Sequence, residues 1–183
     1  MGLSPLKYGA ILCDPPWKYE MRSDAGHAKS PEAHYETMSA EEIAALPVGR
    51  LAGPDCLLFL WSTWPHLPDA LWIMQQWGFS YKTGGAWLKR SRKHWKPTMG
   101  TGYLIRSATE PFLIGTIGRP EIKDRAMQNV LIDAQRREHS RKPPEARRFL
   151  ERTLPRAWCC ELFAREPWAG HEVWGNETGK FSQ

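Results

Sequence analysis

The stretch Tyr8-Gly9-Ala10-Ile11-Leu12-Cys13-Asp14-Pro15-Pro16-Trp17 is a short apolar run that stops abruptly at an acid and two prolines. Proline lacks the N–H that a ladder or a helix needs, so a buried strand ends at Asp14 and a rigid turn follows. Working outward, residues 56–61, 79–88, 109–117, 130–134, 158–164 and 171–174 read as further strands. The unbroken apolar run 56–61 is that of a strand buried on both faces, as in a parallel sheet. Ser39 followed by Glu42 makes a capping box that opens a short helix reaching about Leu46. Pro65 suits the first turn of a second helix, with Leu67, Leu71, Met74 and Trp77 at helical spacing until Gly78. Pro143-Pro144 opens a third, carrying Ala146, Phe149, Leu150 and Leu154. Strands alternating with helices over 183 residues predict one α/β domain, 1–183, with a mainly parallel sheet. Ligands of such sheets gather at the carboxyl ends of the strands, where Asp14 and its neighbours fall.

Hydrophobic residues make up 42% and charged residues 25%, which excludes disordered and fibrous classes. The longest strongly apolar stretch, 56–61, is far below the roughly 20 residues of a membrane-spanning helix. Residues 1–10 lack the apolar segment of a secretory signal. The expectation is a cytoplasmic protein. Cys13, Cys56, Cys159 and Cys160 each adjoin an apolar run, and no two have zinc-knuckle or redox-pair spacing. They read as buried reduced thiols, and the histidines likewise lack metal-ligand spacing, so no metal is expected. The net charge of +5 is compatible with a polyanionic partner. The 10 tryptophans either fill the core or offer platforms for stacked bases, and composition does not decide between these.

Asp14-Pro15-Pro16-Trp17 has a chemistry of its own. A carboxylate beside proline carbonyls is a rigid array of acceptors without donors. It suits an amino group whose lone pair must be withdrawn from conjugation, because hydrogen bonds from its N–H groups help localise that pair. Trp17 is then placed to stack on the flat ring bearing the amine. Taken alone, the four residues are equally a strand end in a rigid turn with a core tryptophan. Two basic runs complete the pattern. Residues 87–96 carry Lys89, Arg90, Arg92, Lys93 and Lys96 with no acid, interleaved with Trp87 and Trp95, which points to nucleic-acid contact. Residues 136–148 hold six positive charges against Glu138 and Glu145.

In this order the sequence resembles the MT-A70-like family of S-adenosylmethionine-dependent adenine-N(6) methyltransferases, in its bacterial or phage form. The resemblance runs from Tyr8 to about Asn176. Its motifs are Asp14-Pro15-Pro16-Trp17, Tyr35-Glu36-Thr37-Met38-Ser39, Leu58-Phe59-Leu60-Trp61, Trp77-Gly78-Phe79 with Trp87-Leu88-Lys89, His139-Ser140-Arg141-Lys142-Pro143, Glu161-Leu162-Phe163-Ala164-Arg165 and Trp174-Gly175-Asn176. It implies a Rossmann-like methyltransferase sheet in circularly permuted order, with the catalytic motif N-terminal and the cofactor-binding segments C-terminal.

The resemblance also implies roles. Asp14 and the Pro15 carbonyl would accept from the target 6-amino group, Asp14 also lying against the cofactor, while Pro16 and Trp17 line the base pocket. Lys142 would pair with the methionine carboxylate of S-adenosylmethionine, and Arg165, Asn176 and Glu177 would reach its ribose. Glu177 stands where a glutamine is common. Glu166-Pro167-Trp168 replaces a frequent His-Asn pair, so Trp168 packs against the cofactor or the core. With 13 residues before Asp14, the cofactor's adenine pocket is unassigned, and the loop 18–35 is longer than the resemblance to eukaryotic members implies. The implied activity is methylation of adenine N6 in DNA. The same chemistry on RNA is the nearest alternative, and a non-catalytic nucleic-acid-binding subunit is a further one that the intact Asp14 opposes. The implied partner is nucleic acid, met by a monomer or homodimer, with no membrane and no metal.

Overall fold

The computed structural model describes residues 2–19, 36–91, 96–98, 100, 102–133 and 141–181. Seven strands form one sheet: β1 (Tyr8–Cys13), β2 (Ala52–Trp61), β3 (Ser80–Lys89), β4 (Thr109–Ile117), β5 (Val130–Asp133), β6 (Cys159–Leu162) and β7 (Glu172–Trp174), in the order β5-β3-β4-β2-β1-β6-β7. β1 runs parallel to β2 and β6, β6 to β7, and β3 to β5. β4 alone runs antiparallel to its neighbours β2 and β3. The sheet is therefore mainly parallel, as the alternation predicts. The reversal at β4 has no signature in the sequence, because a strand buried on both faces is equally apolar in either direction.

The period of two sorts side chains to the two faces. Ile11, Cys13, Leu58 and Leu60 point to the side of α1 (Ala40–Ala44) and α2 (Leu67–Gln76), meeting Ile43, Ile73, Met74 and Phe79. Leu12, Phe59, Trp61, Phe112 and Leu131 point the other way, onto Ala146 and Leu150 of α3 (Glu145–Thr153). Two cores thus sandwich β1 in a three-layer α/β arrangement. The Ser39 capping box is present in full, Glu42 N–H donating to Ser39 Oγ at 3.2 Å and Ser39 N–H to Glu42 Oε2 at 2.8 Å. α1 stops at Ala44, short of Leu46. In α2 it is Pro68 that lies in the first turn, Pro65 falling in the turn before it.

All four cysteines are buried and free. Burial pushes the Cys56 and Cys159 thiols up to about 12. Trp17, Trp61, Trp77, Trp87 and Trp168 are buried, whereas Trp64, Trp72 and Trp158 are exposed. Among the described tryptophans, five thus serve the core. Among the described residues no helix is long and apolar enough to cross a membrane.

Candidate active site

The topology brings the chemistry to one edge of the sheet. β1, β2, β6 and β7 are mutually parallel, so Asp14, Phe163 and Gly175 follow strands ending on the same side. β4 is antiparallel and pairs Phe112 with Trp61, which places its first residues, including Glu110, at that edge. β3 pairs Trp87 with Glu110 and delivers Lys89 there too. Lys142 precedes α3 and reaches in from the facing layer.

These residues form a continuous chain of charge. Lys142 Nζ lies 2.8 Å from Asp14 Oδ1 and 2.7 Å from Glu110 Oε1, and Lys89 Nζ lies 2.7 Å from Glu110 Oε2. Two cations and two carboxylates alternate, with Lys142 also 5.5 Å from the centre of the Trp61 ring and Lys89 5.0 Å from that of Trp87. The order of charges decides the ionisation. Burial alone would raise Glu110, but the two lysines beside it overcome that and hold it down to about 2. Among the described residues Asp14 is bonded to one cation, Lys142, so burial prevails over that lysine and, with the nearby Glu110 charge, leaves its carboxyl above the usual range. Burial disfavours the Lys142 ammonium, yet Asp14 and Glu110 together raise it above its ordinary value. Glu110 carries no motif in the sequence; its only signal is an acid at the mouth of an apolar strand.

The turn after Asp14 is set by its own backbone. Trp17 N–H donates to the Pro15 carbonyl at 2.9 Å, and Met38 N–H donates to the Pro16 carbonyl at 2.8 Å. A carbonyl has two lone pairs, so Pro15 retains one for a further donor. Trp17 is 5% exposed and stacks on His66, ring centres 5.3 Å apart and 22° from parallel. One face of the ring predicted to receive a base is therefore covered by a histidine, whose Nδ1 and Nε2 are in turn engaged by Thr63 Oγ1 at 2.8 Å and the Lys18 carbonyl at 2.9 Å.

On the other side of Asp14 a cleft with about 430 Å³ of open space is lined by Lys142, Glu161, Phe163, Arg165 and Phe181 among others. Arg165 Nε lies 3.1 Å from Glu177 Oε2, so two of the predicted cofactor residues meet each other at its rim. Asn176, between Gly175 and Glu177, is exposed. Phe163 holds φ at 61°, a left-handed conformation costing a non-glycine residue of order 1–3 kcal/mol. The strain turns the chain sharply out of β6 so that Arg165 faces the cleft. A Cβ on Gly175 would stand 2.8 Å from the Ala164 carbonyl oxygen, so this close pass of two segments needs glycine. Burial raises Glu161 to about 7 despite its bond to Arg147 Nε at 2.7 Å.

Trp168 belongs to the core, its Nε1 donating to Glu151 at 2.8 Å. Among the described residues of the second basic run every cation is in an ion pair: Arg141 with Glu166 at 2.6 Å, Lys142 as above, Arg147 with Glu161 and Glu166, and Arg148 with Glu145 at 3.5 Å; Arg136 and Arg137 lie outside the described residues. In the first run, Lys89 is drawn into the charge chain rather than left on a solvated face. Its neighbours form the arms of a hairpin, Ser91 N–H donating to the Lys96 carbonyl at 3.0 Å and Thr98 N–H to the Lys89 carbonyl at 2.8 Å, with Arg90 paired to Pro97. Lys96 is exposed. Arg92, Lys93, Trp95 and most of the loop 18–35 lie outside the described residues.

An α/β sheet with this acceptor-rich turn at the end of a central strand, and a mixed-charge cleft beside it, defines a Rossmann-like methyltransferase. The MT-A70 family model matches residues 8–177. The chain is 31% identical to the type II methyltransferase M.MunI of a Mycoplasma species, over 93% of this chain and 78% of that protein. It is 34% identical to an N(6)-adenosine-methyltransferase MT-A70-like protein of Arabidopsis thaliana over 86% of this chain, and 28% identical to the human catalytic subunit METTL3 over 87%. It spans only 22% and 26% of those two longer relatives. The chain belongs to the MT-A70 family of adenine methyltransferases.

Proposed function

We propose that the chain transfers a methyl group from S-adenosylmethionine to the 6-amino group of adenine in DNA. The observation that carries this reading is the Asp14 carboxylate, fixed by Lys142 beside a Pro15 carbonyl with a spare lone pair, at the border of the cleft. The choice of DNA is supported by the match to a type II methyltransferase over most of both chains.

The cleft fits the proposed cofactor by its donor set. A sulfonium amino acid linked to a ribose is cationic at one point, zwitterionic at its end and rich in hydroxyls. Asp14, Lys142, Arg141 and Arg165 supply charges of both signs, Glu177 can accept from two hydroxyls, and Phe163 and Phe181 supply apolar walls. When bound, S-adenosylmethionine supplies a methyl group on a sulfonium. The residues of the chain do the rest. Asp14 and the Pro15 carbonyl take hydrogen bonds from the two N–H groups of the adenine amine, which turns its lone pair out of conjugation toward the methyl donor. The amine gains positive charge as it is methylated, the Asp14 carboxylate stabilises that charge in place, and the extra proton then passes to solvent water to leave the neutral methylamine. Lys142, held by Glu110, keeps the carboxylate pointed at the amine.

The test is transfer of radiolabelled methyl to double-stranded DNA, single-stranded DNA and RNA, with nucleoside analysis of the product. N(6)-methyladenine in DNA is the result expected, lost in Asp14→Ala. Label only in RNA would replace the polymer and keep the mechanism; label in no polymer would overturn the proposal.

A further inference from the structure

Residues 89–108 contain Lys89, Arg90, Arg92, Lys93, Lys96 and Arg106 and no Asp or Glu. Within this cationic segment stands an apolar projection. Gly100 N–H donates to the Ser107 carbonyl at 2.7 Å, closing a loop whose tip carries Tyr103, Leu104 and Ile105, exposed by 55%, 99% and 84%. The tip is tightly turned: a Cβ on Gly102 would stand 1.9 Å from the Ile105 carbonyl oxygen. Its base is anchored, Ser107 Oγ donating to the Thr109 carbonyl at 2.7 Å and Trp64 Nε1 to Thr109 Oγ1 at 3.0 Å. The next residue is Glu110, which holds Lys142. Six residues of chain limit Leu104 to about 20 Å from Glu110.

We propose that this tip is a wedge that enters the base stack of a duplex and occupies the gap left when the target adenine swings into the site. The inference rests on the reading of the site as one that takes adenine from DNA. An amine inside a duplex cannot reach a site recessed at a sheet edge, so the nucleotide must be extruded and the stack left with a hole. Apolar side chains, leucine and isoleucine among them, fill such steps in proteins that unstack DNA. The charge around the tip selects the occupant. Phosphates on either side of a base step would meet the flanking cations, whereas a second copy of this chain, with net charge +5, would bring like charge to an acid-free segment. Three side chains are also too few for a stable protein interface, which needs about 1,000 Å².

The experiment compares wild type with Leu104→Ala/Ile105→Ala on plasmid DNA and on the same plasmid heat-denatured to single strands. Both residues lie outside the core, so the variant keeps its fold. The ratio of duplex to single-strand methylation is expected to fall about tenfold, because nothing then fills the gap left in the base stack. An unchanged ratio overturns the wedge, as does wild-type methylation confined to single strands. A wild-type oligomer that the variant dissolves, read by light scattering, also overturns it and makes the tip a protein contact. Wild type that labels neither form overturns the reading of DNA as the substrate, on which the wedge rests, an outcome separate from an unchanged ratio.

Discussion

Lys142 stands 2.8 Å from Asp14 Oδ1, so the residue read from the sequence as a cofactor ligand is a direct partner of the residue read as the acceptor of the amine. Glu110 makes the arrangement rigid. It pulls on the far side of the ammonium at 2.7 Å, and its second oxygen is occupied by Lys89. The Asp14 carboxylate is thereby held in one orientation with its charge only partly offset.

Replacing Lys142 by Met keeps the stem and removes the charge. Lys142 is the strongest influence lowering the Asp14 pKa against burial, so its loss raises that pKa further. The acceptor must be the carboxylate, and activity disappears as pH falls through its pKa. The acid limb of the kcat/KM profile should therefore move to higher pH. An unmoved limb with weakened cofactor binding, measured by calorimetry, would make Lys142 a cofactor ligand alone.

Glu110→Gln should lower stability by about 3–5 kcal/mol, because it leaves Lys142 and Lys89 without their shared carboxylate in a largely buried setting. Urea unfolding at neutral pH measures this. Lys89→Ala should cost less, since Lys89 is 40% exposed and water can replace its partner. Equal costs would contradict the order of charges drawn above.

Much of this was legible before the structure. The sequence pattern marked all seven strands, most plainly β1, β2, β4 and β6, whose apolar runs are mostly buried. The Asp14 turn announced itself because two consecutive prolines have few other uses at a strand end. Glu110 was not legible, since its role depends on β4 entering the sheet in reverse, and pattern carries no direction. The pairing of Arg165 with Glu177 was hidden for a related reason: it needs the left-handed turn at Phe163, a conformation that no residue type signals there. Lys89 was read as a nucleic-acid contact, and its ion pair with Glu110 was hidden because that partner is 21 residues away in sequence, on the neighbouring strand and diagonal to it in register.

Glu161 sets a pH dependence with a definite sign. Its pKa is about 7 in the folded chain against the ordinary 4.5. Between those values the folded state holds a proton that the unfolded state has lost, so this group's contribution to stability falls as pH rises from about 4.5 to 7 and is level above. Glu161→Gln removes that slope. Relative to wild type, the variant should gain on the order of 2 kcal/mol in unfolding free energy between pH 5 and pH 8. A change of opposite sign would mean that the Arg147 pair outweighs burial.

Gly175→Ala should destabilise by roughly 1–3 kcal/mol, with the Tm falling accordingly. The added carbon would press on the Ala164 carbonyl and N–H, 2.8 and 2.9 Å away, in the segment between Phe163 and Arg165. Cofactor affinity should fall with it, because Arg165 and Glu177 flank this contact. Gly179→Ala, where the added carbon meets nothing within 4 Å, is the control expected to leave both quantities in place. Equal effects would detach the glycine from the cleft.

The salt dependence of DNA binding separates the basic residues from one another. Each cation that neutralises a phosphate releases a counterion, and log affinity falls with log salt by about 0.7 to 0.9 per contact according to strand state. Lys89 is already bonded to Glu110, so it has little charge to offer a phosphate. Lys89→Ala should leave the slope nearly unchanged while slowing methylation, since it loosens the carboxylate that holds Lys142. Arg92→Ala/Lys93→Ala should flatten the slope by roughly twice the single-contact value, weakening unrelated sequences alike, with cofactor affinity intact. Trp95→Ala should weaken binding by an amount that salt hardly alters, because stacking releases few counterions. Titrations of labelled DNA at several salt concentrations read all three. A slope that drops by one full contact in Lys89→Ala would show that DNA pulls Lys89 away from Glu110, and would make the charge chain at Asp14 responsive to the bound polymer.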